Sequence, residues 1–277
     1  MVTGNKEKLD IQGLSPDHYS SDHFLYALVA NDSLLWAVTN SDKSVLSIGD
    51  LRFEPSEQIS ALNSWVSNTL GNKTFANTSI ALRSCDLVLV PNALYDFKRS
   101  PELLKLSSGV EYQNCLSFNI SRLSATLIYG ADEEVLGFFQ RVFRGQKLLP
   151  SQGLLIDALL KHNRFDRNPQ IVIDVHGGKC DFAVVGHSKL FLVNSFNFKT
   201  DEDILFYTAN IVKQLALENE EISIEACGEV TDKQVELFKE YFESVNRFVG
   251  YDQPTLAAGI ETNSRHTTLL NIISCAS

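Results

Sequence analysis

The chain has 277 residues, of which 44% are hydrophobic, and it carries a formal net charge of −10. This length suits roughly two domains of about 100–200 residues each, with enough apolar side chains for a packed core. The acidic balance, together with the lack of any dense run of Lys and Arg, gives no electrostatic support for binding nucleic acid or an anionic membrane surface. We therefore expect a globular protein with no nucleic-acid partner.

Five widely spaced cysteines and a polar start suggest the cellular compartment. The odd cysteine count and the lack of a Cys-x-x-Cys pair predict reduced thiols, mostly in the core, as is usual in the cytosol. The start of the chain has no apolar segment of signal-peptide type, and the longest apolar stretches fall far short of the ~20 residues that span a bilayer. We expect a cytoplasmic protein without membrane insertion. The cysteines are Cys85, Cys115, Cys180, Cys227 and Cys275.

The first part of the chain predicts a lead-in, three strands and a helix. Residues 1–20 contain few apolar side chains, which indicates a mobile segment. The turn-forming Asn31-Asp32-Ser33 separates the first two strands. Pro55 opens a helix whose apolar positions recur at helical spacing. The strands are predicted at Phe24 to Ala30, Leu34 to Thr39 and Ser44 to Ile48.

The middle of the chain predicts further strands and helices. Asp132-Glu133-Glu134 begins a helix, because acidic residues in a first turn interact favourably with the helix dipole. A second helix, Gly153 to His162, precedes a polar connection at residues 163–169. The strands are predicted near Ser79 to Leu82, Asp86 to Val90, Cys115 to Ile120 and Ala125 to Tyr129, with a short helix around Leu103.

Two apolar runs separated by a glycine turn open the second half. Both runs have the character of buried strands, and Gly177-Gly178 permits a tight reversal with positive φ. A third apolar strand, Leu190 to Phe198, leads into a helix that Thr200 caps. We predict three consecutive antiparallel strands across residues 171–198. A strand at Ile222 to Ala226, a helix at Asp232 to Phe242 and short elements near Phe248 and Leu269 to Ile273 complete this half.

The two halves repeat one order of elements. The first three strands begin near Phe24 and their helix near Pro55, whereas the second set begins near Gln170 and its helix near Asp201. Both offsets are 146 residues, since 170 − 24 and 201 − 55 give the same value. Side-chain identity is not repeated, so the pattern predicts a structural duplication of βββα units. A chance match between two α/β segments is the alternative.

The turn of the second half reads Asp174-Val175-His176-Gly177-Gly178-Lys179-Cys180-Asp181. Glycines let backbone N–H groups approach phosphate oxygens, and carboxylates hold hydrated Mg²⁺ or a water. The segment resembles the second phosphate loop of the actin-like ATPase superfamily, Asp-x-Gly-Gly-Gly-Thr-x-Asp. This superfamily includes actin, the heat-shock 70 chaperones and sugar kinases. Within it, the chain is similar to bacterial cell-division and type IV pilus assembly proteins, and to uncharacterised bacterial proteins assigned to this fold.

The loop departs from the superfamily pattern at two positions. His176 replaces the first glycine and adds a Cβ where close approach to phosphate is needed. Lys179 replaces the threonine, so a hydroxyl is lost although a positive charge is gained. A hairpin turn without a ligand explains the glycines equally well. The matching residues are Asp174, Gly177, Gly178 and Asp181.

Other chemistry has weaker support. The six histidines are scattered, and no two have metal-ligand spacing. His176 and Asp174 point the same way in an alternating strand, which permits a metal site or an acid–base pair, but a hydrogen-bonded structural histidine is the simpler interpretation. The chain has no Gly-x-Ser-x-Gly motif and no Walker A loop. We therefore predict no metal site.

Two further parts of the implied nucleotide cleft are incomplete. The resemblance places the first phosphate loop at Ala30-Asn31-Asp32-Ser33, which contains no glycine. The superfamily's adenosine motif ends in Gly-Gly, and this chain keeps one of the two glycines. ATP and Mg²⁺ are the cofactors implied if the cleft is used, and no catalytic residue is assigned. The candidate cleft residues are Asp174, Gly177, Gly178, Lys179, Asp181 and Gly228.

These features together predict an α/β protein of the actin-like ATPase (ribonuclease H-like) fold, with two duplicated βββα-containing subdomains and mixed sheets. We expect a lead-in at residues 1–20, a first subdomain at 21–165 and a second at 166–277. The missing first loop favours a non-catalytic interaction or scaffold protein with a degenerate nucleotide cleft, no cofactor and a protein partner. An active ATPase or small-molecule kinase, and a nucleotide-binding module without hydrolysis, are the alternatives.

Overall fold

The computed structural model of the chain describes residues 8–83, 86–143, 146, 148–163, 168–218 and 221–275. The strands are β1 Lys8–Gly13, β2 Phe24–Val29, β3 Ser33–Thr39, β4 Val45–Arg52, β5 Asn77–Leu82, β6 Leu87–Pro91, β7 Cys115–Ile120, β8 Ala125–Gly130, β9 Leu148–Pro150, β10 Gln170–His176, β11 Lys179–Gly186, β12 Lys189–Asn197, β13 Ser223–Gly228 and β14 Ser244–Arg247. The α-helices are α1 Gln58–Trp65, α2 Ser100–Ser108, α3 Glu133–Val142, α4 Ser151–His162, α5 Asp201–Gln214, α6 Asp232–Lys239 and α7 Thr267–Cys275.

Short helical turns connect several of these elements. A π-helical turn, Val66–Leu70, extends α1. The 3-10 turns are Pro16–His18, Pro55–Glu57, Asn92–Leu94, Phe97–Arg99, Ser121–Leu123 and Ser264–His266. Cys85 and the expected boundary between residues 165 and 166 lie outside the described residues.

The first sheet has six strands in the order β1-β4-β3-β2-β5-β9. Strands β2, β3 and β4 form an antiparallel meander, and β5 and β9 add to it in parallel. The sequences of β2 and β3 are almost continuously apolar because α1 and α3 cover one face of the sheet and α7 covers the other.

Strand β1 corrects the expected lead-in. It pairs antiparallel with β4 along its whole length. Tyr19, which follows it, is buried and shares a hydrogen bond with Ser47 of β4 at 2.9 Å. Lys8–Gly13 is therefore an edge strand of the first sheet and Tyr19 belongs to the core, whereas residues 1–7 of the expected lead-in lie outside the described residues. An edge strand can face solvent, so β1 carries several polar side chains. The sequence therefore does not show this strand as an apolar run.

The second sheet has the order β12-β11-β10-β13-β14. Strands β10 and β11 pair antiparallel, as do β11 and β12, and Gly177 and Gly178 form the first reversal with φ of +47° and +73°. Positive φ at both central positions matches the turn to the twist of the hairpin, and glycine adopts it without steric cost. The prediction of three consecutive antiparallel strands across residues 171–198 is confirmed.

The two large sheets repeat one topology. Each has an antiparallel meander of three strands, a helix, and a further strand that returns parallel to the first, giving the orders β4-β3-β2-β5 and β12-β11-β10-β13. The starting residues of three strand pairs differ by 146, as 170 − 24, 179 − 33 and 223 − 77 show. The predicted βββα duplication is therefore confirmed at the level of topology.

A third, smaller sheet is inserted between β5 and β9 of the first. Its order is β6-β8-β7, and both pairings are antiparallel. Helix α2 packs against it through Leu104, which is buried with Val90 and Ile128. Among the described strands, β7 pairs only with β8, so one edge of β7 has no strand partner.

Helices pack across the expected division between the subdomains. Helix α4 precedes that division, yet Leu155 packs with Val172 of the second sheet. Helix α7 follows it, yet Leu269 packs with Leu28 of the first sheet. A helix from each half thus packs against the sheet of the other half. This packing joins the two halves, in addition to the contacts at the cleft between them.

The described cysteines have free thiols. Cys180 and Cys227 are buried, and burial raises the pKa of Cys180 to about 12. Such a thiol stays protonated at neutral pH and packs as a small apolar side chain. None of the helices in the described ranges combines the length and the apolar character needed to cross a membrane.

The role of α7 can be tested with matched leucine substitutions. We expect Leu269→Ala to lower the free energy of unfolding by about 2–5 kcal/mol, because it removes a fully buried side chain and leaves a cavity. Leu106→Ala is the control, since Leu269 is 0% exposed and Leu106 is 77% exposed. Urea unfolding followed by circular dichroism measures both. Equal effects of the two substitutions would contradict the packing of α7.

Candidate functional site

Asp174 lies near the end of β10, beneath the glycine turn, and is held by residues from two other parts of the chain. Arg83, which directly follows β5 of the first sheet, donates from Nη2 to Oδ1 at 2.5 Å and from Nε to Oδ2 at 3.2 Å. Thr268 of α7 donates its hydroxyl to Oδ2 at 2.7 Å. All three residues are buried. Both carboxylate oxygens of Asp174 are therefore occupied by protein donors.

The electrostatics of this pair follow from its burial. Desolvation acts to lower the pKa of Arg83, but the charge and hydrogen bonds of Asp174 outweigh it and the pKa is raised. The pKa of the neighbouring Cys227 thiol is raised, mostly by burial and secondly by the charge of Asp174. Two buried charges in bidentate contact offset each other's loss of hydration, whereas either one alone would be strongly destabilising.

Asp181, the second carboxylate of the turn, also has protein partners. Ser195 of β12 donates its hydroxyl to Oδ1 at 2.5 Å, and Nε2 of His176 lies 3.2 Å from Oδ2. Gln152 of α4 donates to the Ser195 hydroxyl at 3.4 Å. His176 is buried, as the structural interpretation of that histidine predicts. This arrangement fixes the side chains below the turn.

The glycine turn faces carboxylates. A Cβ at Gly177 would lie 3.1 Å from both carboxylate oxygens of Asp32, which belongs to the corresponding turn of the first half. The backbone N–H of Gly177 points to Oε2 of Glu229 at 3.5 Å. A phosphate placed at this turn would meet the carboxylate of Asp32, and the N–H of Gly177 is already directed at Glu229, so the turn does not form an anion cradle.

Glu229 belongs to a network of charges that joins the two halves. Its carboxylate forms an ion pair with Arg52 of β4, with Oε1 of Glu229 at 2.5 Å from Nη2 of Arg52. The same Oε1 lies 3.3 Å from Nε of Arg265. Arg265 also pairs with Asp50 of β4. Burial lowers the pKa of Arg265 to about 10, which still leaves it charged at neutral pH. Ion pairs therefore link β4 to the residue that follows β13 and to the segment before α7.

The six candidate residues do not line one common cavity. Lys179 is half-buried and lines a cleft of about 700 Å³ and a smaller cavity of about 150 Å³ next to it. Gly228 has a φ of +77°, and an added Cβ would collide with Val175 and Asp174. It borders a different cavity of about 620 Å³, together with Arg247. Gly228 thus allows β13 to approach Asp174 closely and lies away from Lys179.

The charged residues that line the larger cleft beside Lys179 are mostly acidic. Its lining includes the buried Arg83, whose charge is already paired with Asp174. Glu111 and Lys105 also form an ion pair at its margin. An anionic ligand would meet an unfavourable field in this cleft. The acidic residues of the lining are Asp86, Glu111, Asp132 and Glu133.

The duplication shows what the first half lacks. Asp174 lies opposite Asp181 in the register of β10 and β11. In the first half, Leu28 lies opposite Leu35 in the register of β2 and β3, and these positions differ from the aspartates by 146 in each case (174 − 28 and 181 − 35). Both leucines are buried in the core beneath α7. The first turn therefore has no carboxylate at either equivalent position.

The residues present do not fit ATP with Mg²⁺. Asp174, the expected partner of a hydrated metal, is neutralised by Arg83, and the turn that should receive phosphate faces Asp32 and Glu229. Within the described ranges, no three His, Cys, Asp or Glu side chains are grouped so that they could hold a metal ion.

The sequence interpretation did not identify Arg83, Thr268 or the ion-pair network around Glu229. One signal for Arg83 was available, since a charged residue directly follows the apolar strand Ile80-Ala81-Leu82. In the duplicated pattern Arg83 corresponds to Glu229, because 229 − 83 is again 146. Both residues directly follow the strand that returns parallel to the first, and both contact the opposite half.

The Arg83–Asp174 pair can be tested with a double-mutant cycle. We expect Arg83→Met and Asp174→Leu each to lower the free energy of unfolding by about 3–5 kcal/mol, because each leaves a buried charge unpaired. The double variant should lose much less than the sum of the two. Urea unfolding measures all four proteins. Lys105→Met, which removes an exposed pair with Glu111, is the control and should leave the unfolding midpoint nearly unchanged. Additive losses in the cycle would contradict the pairing.

Comparison with known proteins agrees with this fold. The chain is similar to a protein from Bacteroides thetaiotaomicron VPI-5482 that is described as having an actin-like ATPase fold and unknown function. The identity is 16% and the TM-score 0.78, with 92% of this chain and 97% of that chain covered. A chain of the PilM–PilN type IV pilus biogenesis complex is also similar, at 10% identity and a TM-score of 0.64, with 90% and 97% covered.

A family model described as a protein of unknown function (DUF3822) matches residues 18–249. No curated protein matches the chain. The likeness to the solved structures confirms the expected actin-like ATPase fold and the expected resemblance to a pilus assembly protein, and the family model confirms the expected resemblance to an uncharacterised family. At these identities it concerns the fold alone.

Proposed function

The chain belongs to the DUF3822 family, and we propose that it is a non-catalytic protein of the actin-like fold that acts by binding a protein partner. In this proposal the cleft between the two halves is a degenerate nucleotide site. It holds the halves together through ion pairs and binds neither ATP nor Mg²⁺. The active ATPase or kinase, and the module that binds nucleotide without hydrolysis, are the two alternatives.

The observation that carries the proposal is the buried contact between Arg83 and Asp174. A catalytic site needs a free carboxylate to position a metal or a water, and it needs donors placed around the transferred phosphoryl group. Here a guanidinium supplies the positive charge that a metal would supply, and Thr268 takes a remaining lone pair of the carboxylate. The leucines at the equivalent positions of the first half support the same conclusion.

A protein partner is supported by fold-level likeness and by chemistry. The PilM-like neighbour is described as part of a complex with PilN, which is a statement about that protein. For this chain, the proposal is that a fold without a working cleft is retained for its surfaces. Its charge of −10 does not favour nucleic acid. We also propose a cytoplasmic location, on the basis of the free thiols.

Nucleotide binding can be tested directly. We expect millimolar Mg-ATP or Mg-ADP to leave the thermal unfolding midpoint unchanged, because a ligand selective for the native state must raise stability by mass action and the cleft offers no phosphate site. We also expect no sustained phosphate release from the purified protein. Differential scanning fluorimetry and a phosphate-release assay make the two measurements.

Lys179→Ala and Lys189→Ala provide a matched pair of variants for this test. Lys179 lines the cleft, whereas Lys189 is exposed at the start of β12. A rise in the midpoint with Mg-ATP that Lys179→Ala reduces and Lys189→Ala does not would establish nucleotide binding and overturn this part of the proposal. Phosphate release that follows the same pattern would establish an active enzyme.

A further inference from the structure

We propose that the groove between β7 and the first sheet binds a partner protein through one extended, uncharged apolar segment, which adds as a strand to the free edge of β7. This inference rests on the proposed function and deepens it, because it names the surface and the chemistry of the segment that fits it. The groove has a volume of about 680 Å³ and is distinct from the cleft that contains Lys179.

The groove runs along an edge of the small sheet rather than over one of its faces. Five consecutive residues of β7, Cys115 to Asn119, line it. Successive side chains of a strand point to opposite faces, so a groove on one face would be lined by alternate residues only. Because consecutive residues of β7 line the groove, the groove lies against the backbone edge of this strand.

The backbone of this edge has no partner in the described structure. Strand β7 pairs with β8 on one side, and no other backbone–backbone hydrogen bond among the described residues involves Cys115 to Asn119. Unpaired N–H and C=O groups in a row form a template for a further strand. The edge spans five residues, which corresponds to an added strand roughly 17 Å long.

The opposite wall of the groove is formed by β9 and α3. Leu148 and Leu149 of β9 line it, with Phe139 and Gln140 of α3 beside them. The hydroxyl of Tyr129 donates to the carbonyl of Leu148 at 2.5 Å, so β9 is already partly satisfied. Strand β9 has only three residues, whereas β7 has six, so β7 offers the longer free edge for main-chain hydrogen bonds and the opposite wall contacts side chains of the bound segment.

The lining specifies an apolar and uncharged occupant. None of the described residues that line the groove carries a charge, although the chain as a whole has a net charge of −10. Phe97 adds a large apolar side chain at the margin and is 67% exposed. A charged side chain in the bound segment would lose hydration without gaining an ionic partner, and this excludes acidic and basic segments. The lining residues are Ile80, Phe97, Cys115, Leu116, Ser117, Phe118, Asn119, Tyr129, Leu136, Phe139, Gln140, Gln146, Leu148 and Leu149.

The experiment selects ligands from random peptides of about ten residues displayed on phage, with the intact protein as bait, and measures the synthesised peptides by fluorescence anisotropy. We expect the selected sequences to share an uncharged apolar core of about five residues. Ser117→Arg should weaken their binding at least about tenfold, because it places a charge in the groove. Ser60→Arg on α1 is the control and should leave binding unchanged, since both serines are exposed and only Ser117 lines the groove.

A second measurement uses the unaltered protein and tests strand addition itself. Peptides carrying N-methyl groups at alternate amides are prepared in the two possible registers. Alternate N–H groups of a strand point in opposite directions. The peptide whose methylated amides face β7 should therefore lose binding, and the peptide whose methylated amides face away from β7 should retain it. Equal binding of both registers would overturn strand addition.

The remaining outcomes each overturn the proposal. These are selection of no peptide, selection of charged peptides, and binding that Ser117→Arg does not change. Self-association in analytical ultracentrifugation that Ser117→Arg abolishes would show that a second copy of this chain fills the groove. Failure of the proposed function has a different signature, since it appears as a thermal shift or phosphate release with Mg-ATP whatever the peptides do.

Discussion

The buried ion pair between Arg83 and Asp174 is the constraint on which the arrangement of the two halves depends. Each partner comes from a different sheet, and Thr268 of α7 completes the contacts of Asp174. A bidentate pair offsets the cost of removing two charges from water only while the geometry is kept. Separation of the halves would break these contacts, so the pair favours a closed cleft.

The duplicated backbone supports different chemistry in its two halves. Register places Leu28 and Leu35 in the first half where Asp174 and Asp181 stand in the second. The leucines extend the core beneath α7, whereas the aspartates bind Arg83, Ser195 and His176. An identical hydrogen-bonding ladder therefore permits an apolar core in one half and a polar network in the other. The cleft is asymmetric because side chains, rather than backbone topology, determine what each half can hold.

Much of the fold could be predicted from the sequence because its strands are apolar runs bounded by turn residues. The hairpin around Gly177 and Gly178 is an example, since neither glycine at positive φ is replaceable without strain. Strand β1 and the short β9 could not be predicted. Strand β1 is polar at the sheet edge, and β9 has three residues, too few to establish a period of two.

The site was less predictable than the fold because its contacts join distant parts of the chain. The motif around Asp174 identifies a turn, but the partner that decides its chemistry lies 91 residues earlier, at Arg83, and a second lies 94 residues later, at Thr268. No local pattern indicates which buried arginine meets which carboxylate. The charges around Glu229 likewise become a network only after β4 and β13 are brought together.

The late position of α7 in the chain has a consequence for the order of events during synthesis. Leu269 covers Leu28 in the first sheet, and 241 residues separate them (269 − 28). At about 5–20 residues per second, a ribosome needs about 12–48 s to make that interval. Throughout this time one face of the first sheet lacks its covering helix, and exposed apolar strands in a nascent chain are prone to aggregation. A first half that folds early therefore keeps this apolar face exposed until α7 is made.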